Sequence, residues 1–352
     1  MKKAIFIIII LISIVLLFFT YNDDFLYSKN IIKITQIDTV AEEKYKNQLG
    51  LEETYYTKKI TGIITNGSNK GSKKTITYEE SYSSVITDKY RIGDKIIYDA
   101  NGIELKRDFY LVLMIVIFLN LLYIVGFYKG LLSVLSLILN LIIFYIGLHL
   151  YLRGINLLLI CTIEMIIFSI MSLVLASGIN KKTLSAVLSV IVATLIILAL
   201  MLIIVYFKGY DGINFNELSF LTVPIEDIIL PELLIGSIGA IMDVAITISS
   251  SISELIQKDN DISVENLKKS AKEIGKDIMS TMSNVLFFTY ICSGLPIFVL
   301  ALRNGFSMYN YISTNFTLEL ARFLVGSIGI ILTIPISSYV SIKLMKRGIK
   351  WI

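Results

Sequence analysis

The chain has 352 residues, 55% of them hydrophobic and 17% charged, and its mean hydropathy is +0.75. Soluble domains carry about 25% charged residues, so the composition excludes an ordinary soluble protein and indicates a membrane protein. The formal net charge of +4 is small, and the cationic residues gather at the ends of apolar segments, which argues against a nucleic-acid partner.

Eight apolar segments are long enough to cross about 30 Å of hydrocarbon at about 1.5 Å per residue. The first, within 1–20, follows two lysines and lacks a small-residue cleavage pattern, which favours an uncleaved transmembrane anchor over a signal peptide. The other seven lie within 108–352 and predict a seven-helix membrane domain. The predicted spans are 4–20, 109–127, 131–151, 155–179, 184–207, 232–256, 279–302 and 319–343.

Positive charges predict the orientation of these spans. The lysines and arginines beside the short loops lie mostly at one set of span ends. Because such residues are retained in the cytoplasm, both termini are expected there, with residues 21–107 on the opposite side. The predicted fold class is an α-helical polytopic membrane protein of about eight transmembrane helices with a small extracytoplasmic domain.

The polar segment 21–107 contains short runs rich in isoleucine, threonine and tyrosine, which predict β-strands. The run 66–72, NGSNKGS, predicts a turn between two of them. We expect a small β-rich domain with one buried sheet face, for which an OB-like barrel is one candidate form. Two roles stay open for it: a folded cap or spacer, and docking of a partner or cell-envelope ligand.

The segment 233–255 carries Asp243 roughly halfway along an otherwise apolar span. An ionisable group there costs about 3 kcal/mol on insertion scales, and such residues usually face a cavity, a partner or an ion pathway. Asp243 is therefore either an ion-coupling group or a polar residue satisfied within a tight helix contact. The small and polar residues that share its helix face are Gly236, Gly239, Ala240, Thr247, Ser250 and Glu254.

An internal repeat links two of the spans. Residues 233–252 align without gaps with residues 323–342, ninety positions later. Both segments are predicted to run from outside to inside, so the repeat is of the parallel type, which occurs in transporters whose sites lie where the repeats meet. The matched glycines, which are candidate helix-packing residues, are Gly236 with Gly326 and Gly239 with Gly329.

Other polar residues within or beside the spans are further site candidates. Glu164, in the fourth span, is the second candidate for a proton or cation site. Asn284, in the seventh, is a candidate oxygen ligand or helix cap. Lys276 and Asp277 form a candidate cytosolic gate at the end of a predicted amphipathic helix, 262–277, that lies on the lipid surface.

Several kinds of chemistry are excluded by residue content. His149 is the only histidine, and the two cysteines, Cys161 and Cys292, both lie in apolar segments. We therefore predict no disulfide framework, no metal and no cofactor. The sequence contains no nucleotide-binding loop and no nucleophile with a well-placed base, so we do not expect an enzyme.

Three long motifs resemble the YibE/F family of bacterial membrane proteins: GSIGAIMDVAITISSSISEL at 236–255, IGKDIMSTMSNVLFFTYICSGLP at 274–296 and LVGSIGIILTIP at 324–335. The resemblance implies the longer family type, with an N-terminal anchor, an extracytoplasmic domain and a multi-pass region in the bacterial plasma membrane. It also implies a shorter paralogue as a candidate partner, in a homo- or hetero-oligomer. The family has no settled activity, so the resemblance supplies no catalytic residues.

Two functions follow from these features. The first is a secondary transporter or permease for an ion or small solute, coupled through Asp243 with Glu164 as a second group. The second is a non-transporting envelope scaffold or sensor whose extracytoplasmic domain binds a partner. The lipid bilayer is the partner common to both.

Overall fold

The computed structural model describes residues 2–46, 50, 52–84, 88–99, 102–210 and 226–346. The chain divides into two compact units, Met1–Gly130 and Leu131–Ile352. The first unit holds two helices and a β-sheet, and the second holds the remaining helices. This arrangement confirms the predicted fold class of a polytopic helical membrane protein with a β-rich domain.

The helices of the first unit are α1, Lys2–Tyr21, and α2, Asp108–Gly126, with a short 3-10 helix at Asp23–Leu26. α1 packs against α2. The amide of Asn120 donates to the hydroxyl of Ser13 at 2.9 Å, so a polar group of α2 is satisfied by α1.

The sheet of the first unit has five antiparallel strands in the order β3-β2-β1-β4-β5. Among the described strands, the two edge strands β3 and β5 do not pair with each other, so the sheet is open and does not close into a barrel. The β-rich domain is thus confirmed, while its likeness to an OB barrel stays a prediction. The strands are β1, Asn30–Lys46; β2, Glu52–Ile64; β3, Lys73–Ser81; β4, Lys95–Asp99; and β5, Gly102–Leu105.

Alternating isoleucines form the core of this sheet. Ile32, Ile34, Ile60 and Ile96 are almost fully buried, as a period of two residues requires when one sheet face is covered. Gly62 lies opposite a bulge in β1, where a Cβ would come within 2.5 Å of the Lys33 carbonyl oxygen. The close approach of the two strands therefore requires glycine at this position.

A buried lysine that follows β5, Lys106, contacts the short 3-10 helix and the start of α2. The Nζ of Lys106 lies 2.5 Å from Asp23, 2.9 Å from Asp108 and 3.5 Å from Asp24. Burial lowers the pKa of Lys106, but hydrogen bonds to Asp23 and Asp108 outweigh it and hold that pKa above its ordinary value. The Tyr27 hydroxyl donates to Asp108 at 2.8 Å, and burial together with this bond raises the pKa of Tyr27 to about 12.

The second unit contains α3 to α9. Seven helices of the described chain, α2 to α7 and α9, are long and apolar enough to cross a membrane, while the described apolar part of α1, Ile7–Tyr21, is shorter. The bounds are α3, Tyr128–Leu152; α4, Leu157–Ser177; α5, Lys181–Lys208; α6, Glu226–Lys258; α7, Val264–Arg303; α8, Met308–Asn315; and α9, Thr317–Lys346.

The predicted amphipathic helix at 262–277 is not a separate element. It is the first part of α7, which continues without a break for 40 residues from its cap, Ser263. Nothing between Asp277 and Met279 interrupts the helix, and Gly275 is buried where a Cβ would lie 2.4 Å from Ile334 of α9. Leu267, Ala271 and Gly275 of this segment are buried within the bundle while its lysines are exposed, so the segment is amphipathic and its contact with lipid stays a prediction.

Helix α6 is central in the second unit. It packs against α4, α5, α7 and α9, and α5 and α7 each also pack against α9. α6 and α9 contain the two aligned repeat segments, so the repeats lie side by side. Their contacts join residues about ninety positions apart, such as Ser249 with Ser341, as two parallel helices at the same level require.

We expect Lys106→Met to destabilise the first unit by about 3–5 kcal/mol, because it leaves buried carboxylates without their counter-charge. Lys29→Met is the matched control, since the lysine of the Lys29–Asp99 pair is half-exposed to water and its loss should leave the protection nearly unchanged. The measurement is protection of the β domain from protease in the full-length protein. Equal protection in the two variants would contradict this assignment.

Candidate functional site

Glu164 is one of two buried glutamates among the described residues of the second unit, the other being Glu319. Glu164 lies on α4 with 5% of its surface exposed, and it faces Gly147 of α3. A Cβ at position 147 would lie only 1.9 Å from the Oε1 atom of Glu164, so the carboxylate occupies the space that the glycine leaves. This Oε1 is buried and has no hydrogen-bond partner among the residues that the structure describes.

Other polar groups accompany Glu164 between α3 and α4. The amide of Asn140 donates to the Ser172 hydroxyl at 2.8 Å, while the Oδ1 of Asn140 is buried and has no partner in the described chain. Residues 164 and 172 are eight positions apart on α4, which is about 12 Å along the helix. Within the described chain, this interface thus holds two polar atoms that lack partners, Glu164 Oε1 and Asn140 Oδ1, at levels about two helical turns apart.

Asp243 occupies a different environment. It is exposed on the surface of the second unit, and within the described ranges its carboxylate forms no hydrogen bond or ion pair. The Thr247 hydroxyl donates to the backbone carbonyl of Asp243 at 2.6 Å, and this bond does not involve the carboxylate. The sequence placed Asp243 inside a span, and the fold leaves its side chain exposed, whereas Glu164 is buried against α3.

Asn284 lies near the level of Asp243 but is also exposed. The Tyr290 hydroxyl donates to the Gly236 carbonyl at 2.8 Å and fixes the alignment of α7 with α6. The two helices are antiparallel, so seven residues after Gly236 on α6 correspond to seven residues before Tyr290 on α7. Asp243 therefore lies at the level of Ser283. No hydrogen bond connects Asn284 with Asp243 in the part of the chain that the structure describes.

The candidate gate residues do not pair with each other. Lys276 bonds to Glu273 at 2.8 Å, one turn earlier on α7. Lys276 and Asp277 are both exposed, and successive side chains on a helix point about 100° apart. The structure therefore brings together Lys276 and Glu273, and not the gate pair that the sequence suggested.

The four repeat glycines have unequal surroundings. Added Cβ atoms would lie 2.7 Å from the Tyr290 hydroxyl at Gly236, and 2.8 Å from Leu286 at Gly326. At Gly329 a Cβ would lie 2.9 Å from Ile197 of α5 and 3.0 Å from Ile241 of α6. At Gly239, no atom of the described chain lies within 4 Å of an added Cβ, so this glycine does not lie at a close helix contact there.

A buried line of hydroxyl groups crosses the contact between α5, α6 and α9. The Ser341 hydroxyl lies 3.1 Å from that of Ser185 and 3.0 Å from that of Ser249. Ser249 also lies 3.3 Å from Ser337, whose hydroxyl donates to the Ala245 carbonyl at 3.1 Å. We call Ser185, Ser249, Ser337 and Ser341 the hydroxyl seam. Sequence reasoning missed it, although the four-residue spacing of Ser337 and Ser341 was a visible signal.

A cavity of about 490 Å³ lies where α5 begins and α6 and α9 end. Its wall includes Ser250 and Ser253, which neighbour the seam residue Ser249 in sequence, and one acid, Glu254. Polar groups thus extend from the buried seam to this end of the bundle. The lining residues are Asn180, Lys181, Lys182, Ser250, Ser253, Glu254, Ile256, Gln257 and Met345.

We expect Gly147→Ala to destabilise the protein by about 1–3 kcal/mol, because its Cβ needs the space held by the Glu164 carboxylate. Gly239→Ala is the matched control and should be neutral or stabilising by up to about 1 kcal/mol. Thermal unfolding in detergent micelles measures both.

Shortening the acid should relieve this clash. In a double-mutant cycle, Gly147→Ala should cost less in a Glu164→Ala background than in the wild type. Additive effects in the cycle would contradict the contact between these two residues.

Comparison with known proteins gives two matches, one in each part of the chain. The family described as YibE/F-like protein matches residues 114–347, and the YibE/F family N-terminal domain matches residues 25–107. No curated protein and no solved structure matches the chain. Because the first match alone covers more than half of the chain, this protein belongs to the YibE/F family, as a member of the longer type that carries the N-terminal domain.

Proposed function

We propose that this YibE/F protein is a secondary transporter or permease for an ion or small solute, with Glu164 as its coupling group. The observation that carries the proposal is the buried Glu164 carboxylate, whose Oε1 has no partner among the described residues. Ionisable residues inside membrane domains usually belong to ion or proton pathways. The geometry therefore favours Glu164 over Asp243 as the first coupling candidate.

The energetic reason is the cost of a bare buried carboxylate. An ionised carboxylate without a partner in an apolar interior costs several kcal/mol, and a proton or a bound cation removes that cost. A group that changes between these states as it meets each side of the membrane couples movement of the ion to a change in structure. Gly147 provides the space in which the carboxylate lies.

The hydroxyl seam suggests how the helices move. Ser249 of α6 lies between Ser337 and Ser341 of α9, at 3.3 Å and 3.0 Å. Because Ser249 contacts both hydroxyls, a small shift of α6 along α9 strengthens one contact and weakens the other, and Ser249 keeps a partner in either position. Shifts of about 1–2 Å between packed helices are a common form of conformational change.

The test is flux into sealed liposomes that contain the purified protein, alone and together with a shorter YibE/F relative. A pH-sensitive dye reports proton movement across a panel of cations and small acids. We expect Glu164→Gln to lower the flux at least about 10-fold, because glutamine keeps the shape of the side chain but cannot exchange a proton. Glu265→Gln, at an exposed position in the first turn of α7, is the matched control.

Asp243→Asn is measured in the same assay. Loss of flux in Asp243→Asn with full flux in Glu164→Gln would return the coupling role to Asp243. Flux that survives in both variants would contradict coupling through either acid.

A second candidate function is assembly with another subunit, as an envelope scaffold or sensor. Thr333, Ser337 and Ser341 of α9 are buried on the face that receives α6. Their repeat counterparts on α6, ninety positions earlier, are Asp243, Thr247 and Ser251, and the first two are exposed. The α6 face equivalent to a helix-binding face of α9 is thus available for a helix from a second copy or from the shorter relative.

This second function predicts that Asp243 controls association. We expect Asp243→Asn to weaken the oligomer at least about 10-fold, because a carboxylate buried at a subunit contact contributes more than about 1.4 kcal/mol when it is paired. The measurement is the molar mass of the protein in detergent as a function of its concentration. An unchanged oligomer, with flux lost in Glu164→Gln, would leave transport as the function.

A further inference from the structure

The cavity of about 490 Å³ at the start of α5 has the size of a ligand site, since such sites measure roughly 300–1,000 Å³. The helices around it, α5, α6 and α9, are all long and apolar enough to span a membrane, and the cavity lies at their ends. Lipid headgroups occupy that level of a bilayer. Neither transport through Glu164 nor the subunit contact at Asp243 uses this cavity.

The cavity wall carries charges that do not neutralise one another. Lys181 and Lys182 line it from the first turn of α5, and Glu254 lines it from α6. None of the three forms an ion pair with a described residue. Lys181 and Glu254 are exposed and Lys182 is half-buried, so a ligand can reach the cavity from outside the described bundle.

Neutral donors lie beside these charges. The Ser250 hydroxyl has no hydrogen-bond partner in the described chain. The Ser253 hydroxyl accepts from the Gln257 amide at 3.5 Å and keeps its own proton to donate. Ammonium and hydroxyl groups are both donors to phosphate oxygens, so the wall provides charged and neutral donors for one phosphate group.

We propose that this cavity binds the singly charged phosphodiester of a phospholipid headgroup. Its wall holds two lysines and one glutamate, a net charge of +1, which one negative charge neutralises. A phosphate monoester carries about −1.5 to −2 at neutral pH and would leave an excess negative charge beside Glu254. The positive end of the α5 dipole adds to the attraction for an anion.

The apolar part of the wall assigns the phosphate to a lipid. Ile256 and Met345 line the cavity together with its polar residues. A phospholipid carries apolar chains next to its phosphate, whereas a soluble phosphate ester does not. Because the cavity also lies at the ends of spanning helices, both parts of a phospholipid have a counterpart there.

A bound lipid at this position would hold together the helices that the hydroxyl seam joins. Ser250 of the cavity follows the seam residue Ser249, and Lys182 lies three positions before the seam residue Ser185. The lipid would therefore stabilise the contact of α5 with α6 and α9 from its open end. This inference does not rest on either proposed function, because lipid binding is measured on the protein at rest.

The experiment is native mass spectrometry of the full-length protein in detergent micelles, titrated with phosphatidylglycerol. We expect one tightly bound lipid per chain. Replacing both Lys181→Gln and Lys182→Gln should weaken its binding at least about 10-fold, because each lysine near an anionic headgroup contributes to binding. The matched control is Lys268→Gln with Lys269→Gln, two adjacent exposed lysines near the start of α7, at the same end of the unit.

A second variant tests the charge match and does not depend on the lysine variants. Glu254→Gln removes the negative charge of the wall at an exposed position. We expect it to strengthen the binding of phosphatidic acid, a lipid monoester, several-fold more than the binding of phosphatidylglycerol. An unchanged preference between these two lipids would overturn the proposed charge match.

Three ligands and the control pair decide the outcome. Loss of phosphatidylglycerol in the α5 lysine variant alone, with no tight binding of diacylglycerol, supports the phosphodiester site. An equal loss in both lysine pairs overturns the proposal and leaves a basic surface without a defined site. Binding of glycerophosphoglycerol, the soluble headgroup, as tightly as the intact lipid would also overturn it and assign the cavity to a soluble phosphate ester.

Discussion

The second unit depends on one constraint: polar groups buried between helices in a membrane protein must find partners inside the protein. The hydroxyl seam satisfies this constraint where α5, α6 and α9 meet, because each serine hydroxyl finds another hydroxyl or a backbone carbonyl at 3.0–3.3 Å. Small side chains also allow the backbones to approach, as at Gly329. The aligned repeats can therefore pack side by side.

Against this satisfied core, the acids that lack partners are informative. Glu164 is buried and has an unpaired oxygen, Glu319 is buried with one oxygen paired and one unpaired, and Asp243 is exposed without a partner in the described chain. The hydroxyls of Thr194 and Ser327 are also buried without a partner in the described chain, so an unpaired oxygen is informative here because it belongs to an ionisable group. Glu164 and Asp243, which have no ion-pair partner there, are accordingly where an ion, a proton or another subunit would complete the bonding.

The sequence predicted the fold better than it predicted the site. Length and hydropathy located the long apolar helices, because an apolar run of about 20 residues can only cross the bilayer as a helix, but they did not show that α7 begins as early as Val264. The position of a residue along its span follows from the same pattern, so the sequence identified both Glu164 and Asp243 as acids within spans. The direction of each side chain does not follow, because it depends on which neighbours surround the helix. For this reason Asp243 was ranked above Glu164, and the hydroxyl seam was missed.

The repeat explains why the two central helices differ in exposure. α9 is covered by α6 on its face of Gly329, Thr333 and Ser337, so a neutral hydroxyl residue suffices at each polar position. α6 uses a different face, with Ile241 and Ala245, to contact α9, and this leaves its own counterpart of the small face uncovered. The contact between the two helices is therefore asymmetric: α9 uses its small-residue face and α6 does not. The copy with the uncovered face is the one that carries Asp243, which is where a helix of another subunit would find a charged partner.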